Sequence, residues 1–520
     1  MNEPNSLALN FADALRLAHK ERRQRLSLKA TAEKLHVATT GAGFTELYET
    51  LRNASENTEE NLLLIRAIRR FYKRAYLIPE TNLKNIGEDL ITELTLAGYL
   101  KNDSVPLSTA QEITQITQKF SSARKKLLAK FPQETTDRWT IDPMSAAIEK
   151  TLRDYSLNEA FTDLAYNYFL NAINVEKLFP DKHPPSYEAT LLVAVQHTLL
   201  KTDVAAIRLE LIERYQISTS RTVDFAKFNV QLDQIFASET LDKLNHIINR
   251  LGAPFRILLR AMDSDEKLAE HLSSEKALLG PFNAAINESY TGIRKNINRG
   301  IVRSVIFLII TKFIIGIAAE VPYDIWIHGG IKWTALIVNL ALPPLYMIAL
   351  RLTLVMPDTR NTRALNREIS RILFAPIPSR PFIGNEKSHH FSRIYNFIYS
   401  LMIISVFVGI GWILSYFAGF EWIHLLIFFF FISAASFLGF RISRSIREIE
   451  VGDETQNSVT MIRDLLYMPF VAIGRHISET YSKLNIISRF LDMFVELPLK
   501  TLLSFLRRWG NFLSAKKDSF

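Results

Sequence analysis

The sequence predicts an all-α protein: a four-span helical membrane domain, a large N-terminal helical cytoplasmic domain before it and C-terminal amphipathic helices after it. Three observations carry that reading. Four apolar stretches, at about 301–321, 333–356, 394–417 and 422–440, each approach the roughly 20 residues with which a helix crosses about 30 Å of hydrocarbon. The first 290 residues repeat the helical apolar period, with prolines between periodic segments and no hairpin signal. From about 457 to 512, apolar residues keep helical spacing while charges persist throughout, which argues against a fifth span.

Composition narrows the function. The chain has 520 residues and no cysteine, which excludes disulfides, cysteine-ligated metals and thiol nucleophiles. Its net charge of +9 could suggest nucleic acid. The excess is misplaced for that: residues 1–290 hold 36 Lys+Arg against 38 Asp+Glu, and the remainder hold 26 against 15. A nucleic-acid binder carries its basic surplus on the soluble fold, so no nucleic-acid partner is expected. Residues 1–10 show no apolar run preceded by positive charge, so the expectation is no cleavable leader and a soluble half left on the side of synthesis.

Within the soluble half, Leu62, Ile65, Ile68 and Phe71 or Ala75 form one helix face, and Arg66, Arg69, Arg70 and Lys73 the other. Thr109 with Glu112, and Ser156 with Glu159, have capping-box spacing. Breaks are expected near Pro79, Pro132, Pro143, Pro254 and Pro281, and a loop at 181–185. The polar stretch 130–143 divides this half, giving regions 1–135 and 136–300, then the spans at 301–440 and the C-terminal part at 441–520. No repeat of fixed period is visible.

Basic residues set the expected orientation, since positive flanks stay cytoplasmic. Arg294, Lys295, Arg299 and Arg303 precede the first span; seven Lys and Arg, including Arg363, Arg367 and Arg371, fill the second connection; Arg441, Arg444 and Arg447 follow the fourth span. The first and third connections hold one and none. Both termini are therefore expected inside.

Lys312 sits in the middle of the first span. It suggests an ion, proton or anionic-substrate contact. The simpler reading is a lysine that snorkels or bonds carbonyls or Asn339, because no carboxylate stands within the spans: Glu320 and Glu421 are placed at the outer boundary, in reach of water. Pro343-Pro344 should kink the second span. Gly409, Gly411, Ala435 and Gly439 suit close helix approach.

Two amphipathic elements follow. In 362–374, Arg363, Arg367 and Arg371 oppose Leu365, Ile369, Ile372 and Leu373. Such a helix suits the inner leaflet or, equally, the underside of the soluble half. At the C-terminus, Arg507, Arg508 and Trp509 suggest a lipid-facing anchor.

The sequence holds no recognised catalytic or metal spacing. His389-His390 reads as incidental and His424 as an interfacial residue. A lone Gly-x-Gly at 41–43 reads as a turn, and Asp263, Asp265 and Glu266 as a solvated helix start. No cofactor is expected. The leading function is a scaffold or regulator of a membrane assembly, with membrane lipid and other proteins as partners and homo-oligomers possible. The alternative is a transport or channel subunit using Lys312, and a lipid-acting enzyme ranks last.

Overall fold

In the computed structural model the described residues are 3–38, 43, 45, 46, 49, 62–77, 83–180, 184, 186–354, 356–376, 393–451 and 467–478, with backbone alone for 393–396. They form helices and no strand. The order is α1 (Ser6–Thr31), α2 (Leu63–Ala75), α3 (Ile86–Leu96), α4 (Leu107–Leu128), α5 (Gln133–Leu152), α6 (Ser156–Ala172), α7 (Val175–Leu178), α8 (Tyr187–Val195), α9 (Val204–Arg214), α10 (Thr222–Phe236) and α11 (Glu239–Leu251). There follow α12 (Ala253–Ser264), α13 (Leu268–His271), α14 (Glu275–Ile315), α15 (Val321–His328), α16 (Trp333–Thr353), α17 (Thr359–Phe374), α18 (Arg393–Ala418), α19 (Trp422–Arg447) and α20, residues 467–478.

Four of these are long and apolar enough to cross a membrane: 275–328 taken as one helix, α16, α18 and α19. The first differs from expectation. A π-helical turn, Gly316–Glu320, joins α14 to α15 without a break, so the helix runs 54 residues. The connection expected from Pro322 onward shrinks to the residues after His328, where Gly329 adopts φ 71°.

Among its described residues the N-terminal half holds a smaller apolar core around Trp139 and Phe225 and two large ones. One gathers Ile65, Ile68 and Tyr72 of α2, Leu90 of α3, Ile113 of α4 and Met144 of α5. The other joins Phe11 and Leu15 of α1 to Phe161, Phe169, Leu192, Phe255 and Leu258. Phe282, Ala285 and Ile286 of α14 complete it, so the long helix starts inside this N-terminal core. Pro143 and Pro281 interrupt nothing; both lie within helices. Pro132 and Pro254 do mark helix starts. Neither expected capping box forms, because α4 starts at Leu107 and α6 at Ser156, with Tyr155 in the cap position. Asp154 instead accepts from the Ser156 amide at 3.2 Å.

Helix α17 packs against the N-terminal helices. Leu365, Ile369, Ile372, Leu373 and Phe374 are buried in the second core, which leaves no apolar face for acyl chains. Arg363, Arg367 and Arg371 line its exposed side. Asn5 ties the ends of α1 and α17: its Oδ1 accepts from the Ala8 amide at 3.0 Å, and its Nδ2 donates to the carbonyls of Ile372 and Ala375 at 2.9 and 2.8 Å. The exit of α19 is held likewise. Arg256 donates to the Glu448 carbonyl at 2.7 Å, and Asn361 donates to the Ile449 carbonyl at 2.9 Å while accepting from the Val451 amide at 2.8 Å.

Among the apolar helices, α16 lies against α14 and α19. A Cβ on Gly439 would come within 2.9 Å of Leu350, so this glycine does permit the close approach expected of it; Gly409 faces open space. Phe470 of α20 packs with Phe428, Ile432 and Leu414, which places that piece of the C-terminal stretch against protein. His389-His390, most of the Gly-x-Gly turn and the anchor residues Arg507, Arg508 and Trp509 lie outside the described residues.

Two predictions follow from this packing. At Gly474 a Cβ would sit 2.2 Å from the Ser433 carbonyl oxygen, so Gly474→Ala should lower stability by about 1–3 kcal/mol through overpacking. Gly292, mid-helix, where a Cβ would meet only the Arg260 guanidinium at 3.7 Å, should give the opposite sign, about 0.5–1 kcal/mol of stabilisation for Gly292→Ala. Melting curves of the full chain in detergent check both. Burial pushes the Glu149 carboxyl of α5 up from 4.5 to about 7 against the pull of Arg153. Folding therefore takes up a proton there, and this contribution to stability is full below pH 4.5 and lost as the pH rises through about 7. Glu149→Gln should flatten the fall in melting temperature across that window.

Candidate functional site

The apolar helices enclose a cluster of ionisable and amide side chains at the end remote from the N-terminal cores. Lys312, Glu320, Asp324, Asn339 and His424 are each at most 1% exposed. Ordinary helical geometry would set Lys312 and Glu320, eight residues apart, about 80° out of phase. The π turn between them holds more residues per turn and removes much of that angle. Asp324 follows one turn beyond Glu320 on the same face.

The Lys312 ammonium donates to Glu320 Oε1 at 3.1 Å and lies 4.7 Å from the ring centroid of Phe431. Asn339 Nδ2 donates to the same Oε1 at 2.9 Å and to the His424 carbonyl at 3.3 Å. Beyond them, His424 Nε2 stands 3.3 Å from Asp324 Oδ1. The Lys332 amide donates to Asp324 Oδ2 at 3.0 Å, and the Glu421 amide donates to His424 Nδ1 at 3.4 Å. The cluster ends at Glu421, whose side chain is 30% exposed. Lys332, His328 and Tyr323 all donate to it. The Lys332 and His328 bonds hold its carboxyl well below the usual carboxylate range.

Lys312 and Asn339, expected as one polar site, are thus brought together, with Glu320 between them. Two expectations are corrected. Glu320 is not in reach of water but fully buried, so Lys312 does have a carboxylate partner within the apolar segments. His424 is likewise buried and faces Asp324. The signal was available as Lys312, Glu320 and Asp324 at spacings of eight and four. Spacing alone hides it, because a regular helix puts Glu320 on another face and the π turn is not legible in composition.

Several polar atoms in the cluster have no hydrogen-bond partner among the described residues: Glu320 Oε2, Asp324 Oδ1, Asn339 Oδ1 and His424 Nε2. Buried polar atoms are normally paired, and ionisable groups inside apolar helices mark functional sites by default. No group of three or more His, Asp or Glu side chains suited to a metal occurs among the described residues.

Removing one member of a buried ion pair leaves the other uncompensated, at about 3–5 kcal/mol, whereas replacing both is often neutral. Lys312→Met should therefore destabilise the chain strongly, and Lys312→Met with Glu320→Gln should recover most of the loss; unfolding in lipid micelles measures the difference. Compared with known protein families, curated proteins and solved structures, the chain matches none.

Proposed function

We propose that the chain is a multi-pass membrane protein with both termini cytoplasmic, and that its helical N-terminal half is a docking platform that scaffolds or regulates a membrane assembly. One observation carries the reading: the soluble core and the apolar helices share α14, and α17 and residues 448–451 clamp the joint. A soluble unit fixed to membrane helices in this way presents one surface to partners at a set height and angle. The basic flanks of α14, α16 and α19 support the orientation.

The surface best suited to a protein partner is an open cleft of about 790 Å³ beside α1 and α4. Arg22, Arg25, Lys29 and Lys119 line it, with Leu26 and Leu28, which are 59% and 63% exposed. Six basic residues outnumber Glu112, Asp154 and Glu213 in the lining, and with the apolar groups they fit an acidic amphipathic segment. Arg363, Arg367 and Arg371 on the free side of α17 fit anionic headgroups or acidic protein. The buried cluster favours a second reading, a transport subunit with Lys312 in a polar path. A lipid-acting enzyme has no support in these residues.

Gentle solubilisation of the tagged full chain, beside an Arg22→Glu/Arg25→Glu/Lys29→Glu variant, tests the platform. Proteins enriched with the wild type should fall about tenfold or more in the variant, as losing about 1.4 kcal/mol of affinity requires, while its melting temperature holds. Identical protein sets for both forms would refute the cleft. Ion flux through vesicles containing the pure chain, abolished by Lys312→Met with Glu320→Gln, would favour transport.

A further inference from the structure

We propose that Glu149 is an acidity switch for the cleft: when its carboxyl gains a proton, Arg153 on the cleft wall loses a countercharge and the cleft holds an acidic segment more tightly. The inference rests on the platform reading and adds to it a condition under which partners are taken up or released.

Geometry is the first argument. Glu149 and Arg153 lie one turn apart at the end of α5, where the Arg153 amide donates to the Glu149 carbonyl at 2.8 Å. Their side chains meet different surroundings. Arg153 lines the cleft and is 42% exposed, whereas Glu149 is buried behind it, with Oε1 3.5 Å from the Arg153 guanidinium. That oxygen has no hydrogen-bond partner among the described residues, so it is open to a proton. Two other lining cations are countered by carboxylates that solvent reaches. Arg25 faces Asp154 at 3.6 Å, and Lys150 stands 3.0 Å from Glu159 and 3.2 Å from Glu213.

The groups around Glu149 supply the second argument. Burial pushes its carboxyl up to about 7, against the pull of Arg153 and the Tyr155 hydroxyl. Asp203, before α9, adds a like charge. Arg69 of α2 also faces Glu149, but it is already committed to Asp142 at 2.9 Å and Asp203 at 2.8 Å. On the acid side of that midpoint Glu149 is neutral, and the wall presents the full charge of Arg153. On the alkaline side the carboxylate offsets it. An anionic partner seated against Arg153 is therefore held more tightly in acid, and by linkage its binding draws a proton onto Glu149. A unit charge on the order of 7 Å from a partner carboxylate changes affinity severalfold in a medium between protein surface and water.

Binding of a rhodamine-labelled peptide carrying Asp and Leu at helical spacing, measured on the full chain in detergent at about pH 6 and about pH 8, tests the switch. The peptide's aspartates titrate near about 3.9 and keep their charge across that range. The wild type should bind about threefold or more tightly at the lower pH. Glu149→Gln, or Glu149→Met if glutamine there does not fold, should bind at both pH values as tightly as the wild type does at the lower one. Equal wild-type affinity at the two pH values, or a pH dependence kept in the Glu149 variants, would overturn the switch and leave the cleft standing. No binding at all, or binding unchanged in Arg22→Glu/Arg25→Glu/Lys29→Glu, would overturn the cleft and the switch with it.

Discussion

The long helix from Glu275 to His328 is the constraint on which the other elements depend. At 54 residues it is about 80 Å long, far more than a bilayer requires. Its first turns complete an apolar core built from α1, α6, α8 and α12, and its later turns belong to a core shared with α16 and α19. A regular helix resists bending because each turn is hydrogen-bonded to the next. Displacement of one end is therefore felt at the other. Asn5 and Arg256 reinforce the joint by tying the ends of α17 and α19 to the N-terminal core, and Asn361 ties α17 to the exit of α19.

The one departure from regular geometry in that rod lies at the buried charges. The π turn widens the helix between Lys312 and Glu320 and aligns them. Such insertions are rare, and they are often found at functional sites. Here the local distortion has an evident electrostatic return, since each member of the pair alone would be an unpaired charge in an apolar surrounding. Asn339 from α16 and His424 from α19 bring the same polar group into contact with two further helices. The charged cluster therefore specifies how the apolar helices pack, which side chains of uniform greasiness would leave less defined.

Much of this was legible in the residues. The four apolar helices, the absence of strand among the described residues and the amphipathic character of 359–374 all follow from periodicity and length, because burial of apolar surface must match the helical repeat. Other features were not. Pro143 and Pro281 stay within helices because tertiary packing outweighs the loss of a single amide donor. The destination of the apolar side of α17 was open between lipid and protein, since acyl chains and a protein core accept the same side chains.

By itself, the sequence determined which segments avoid water, how long they are and where charge accumulates beside them; each is a local sum over neighbouring residues. Only the tertiary structure decided which charges meet. Lys312, Glu320, Asn339, Asp324 and His424 come from three separate helices, and their pairing depends on helix phase and contact, to which hydropathy and local spacing are blind.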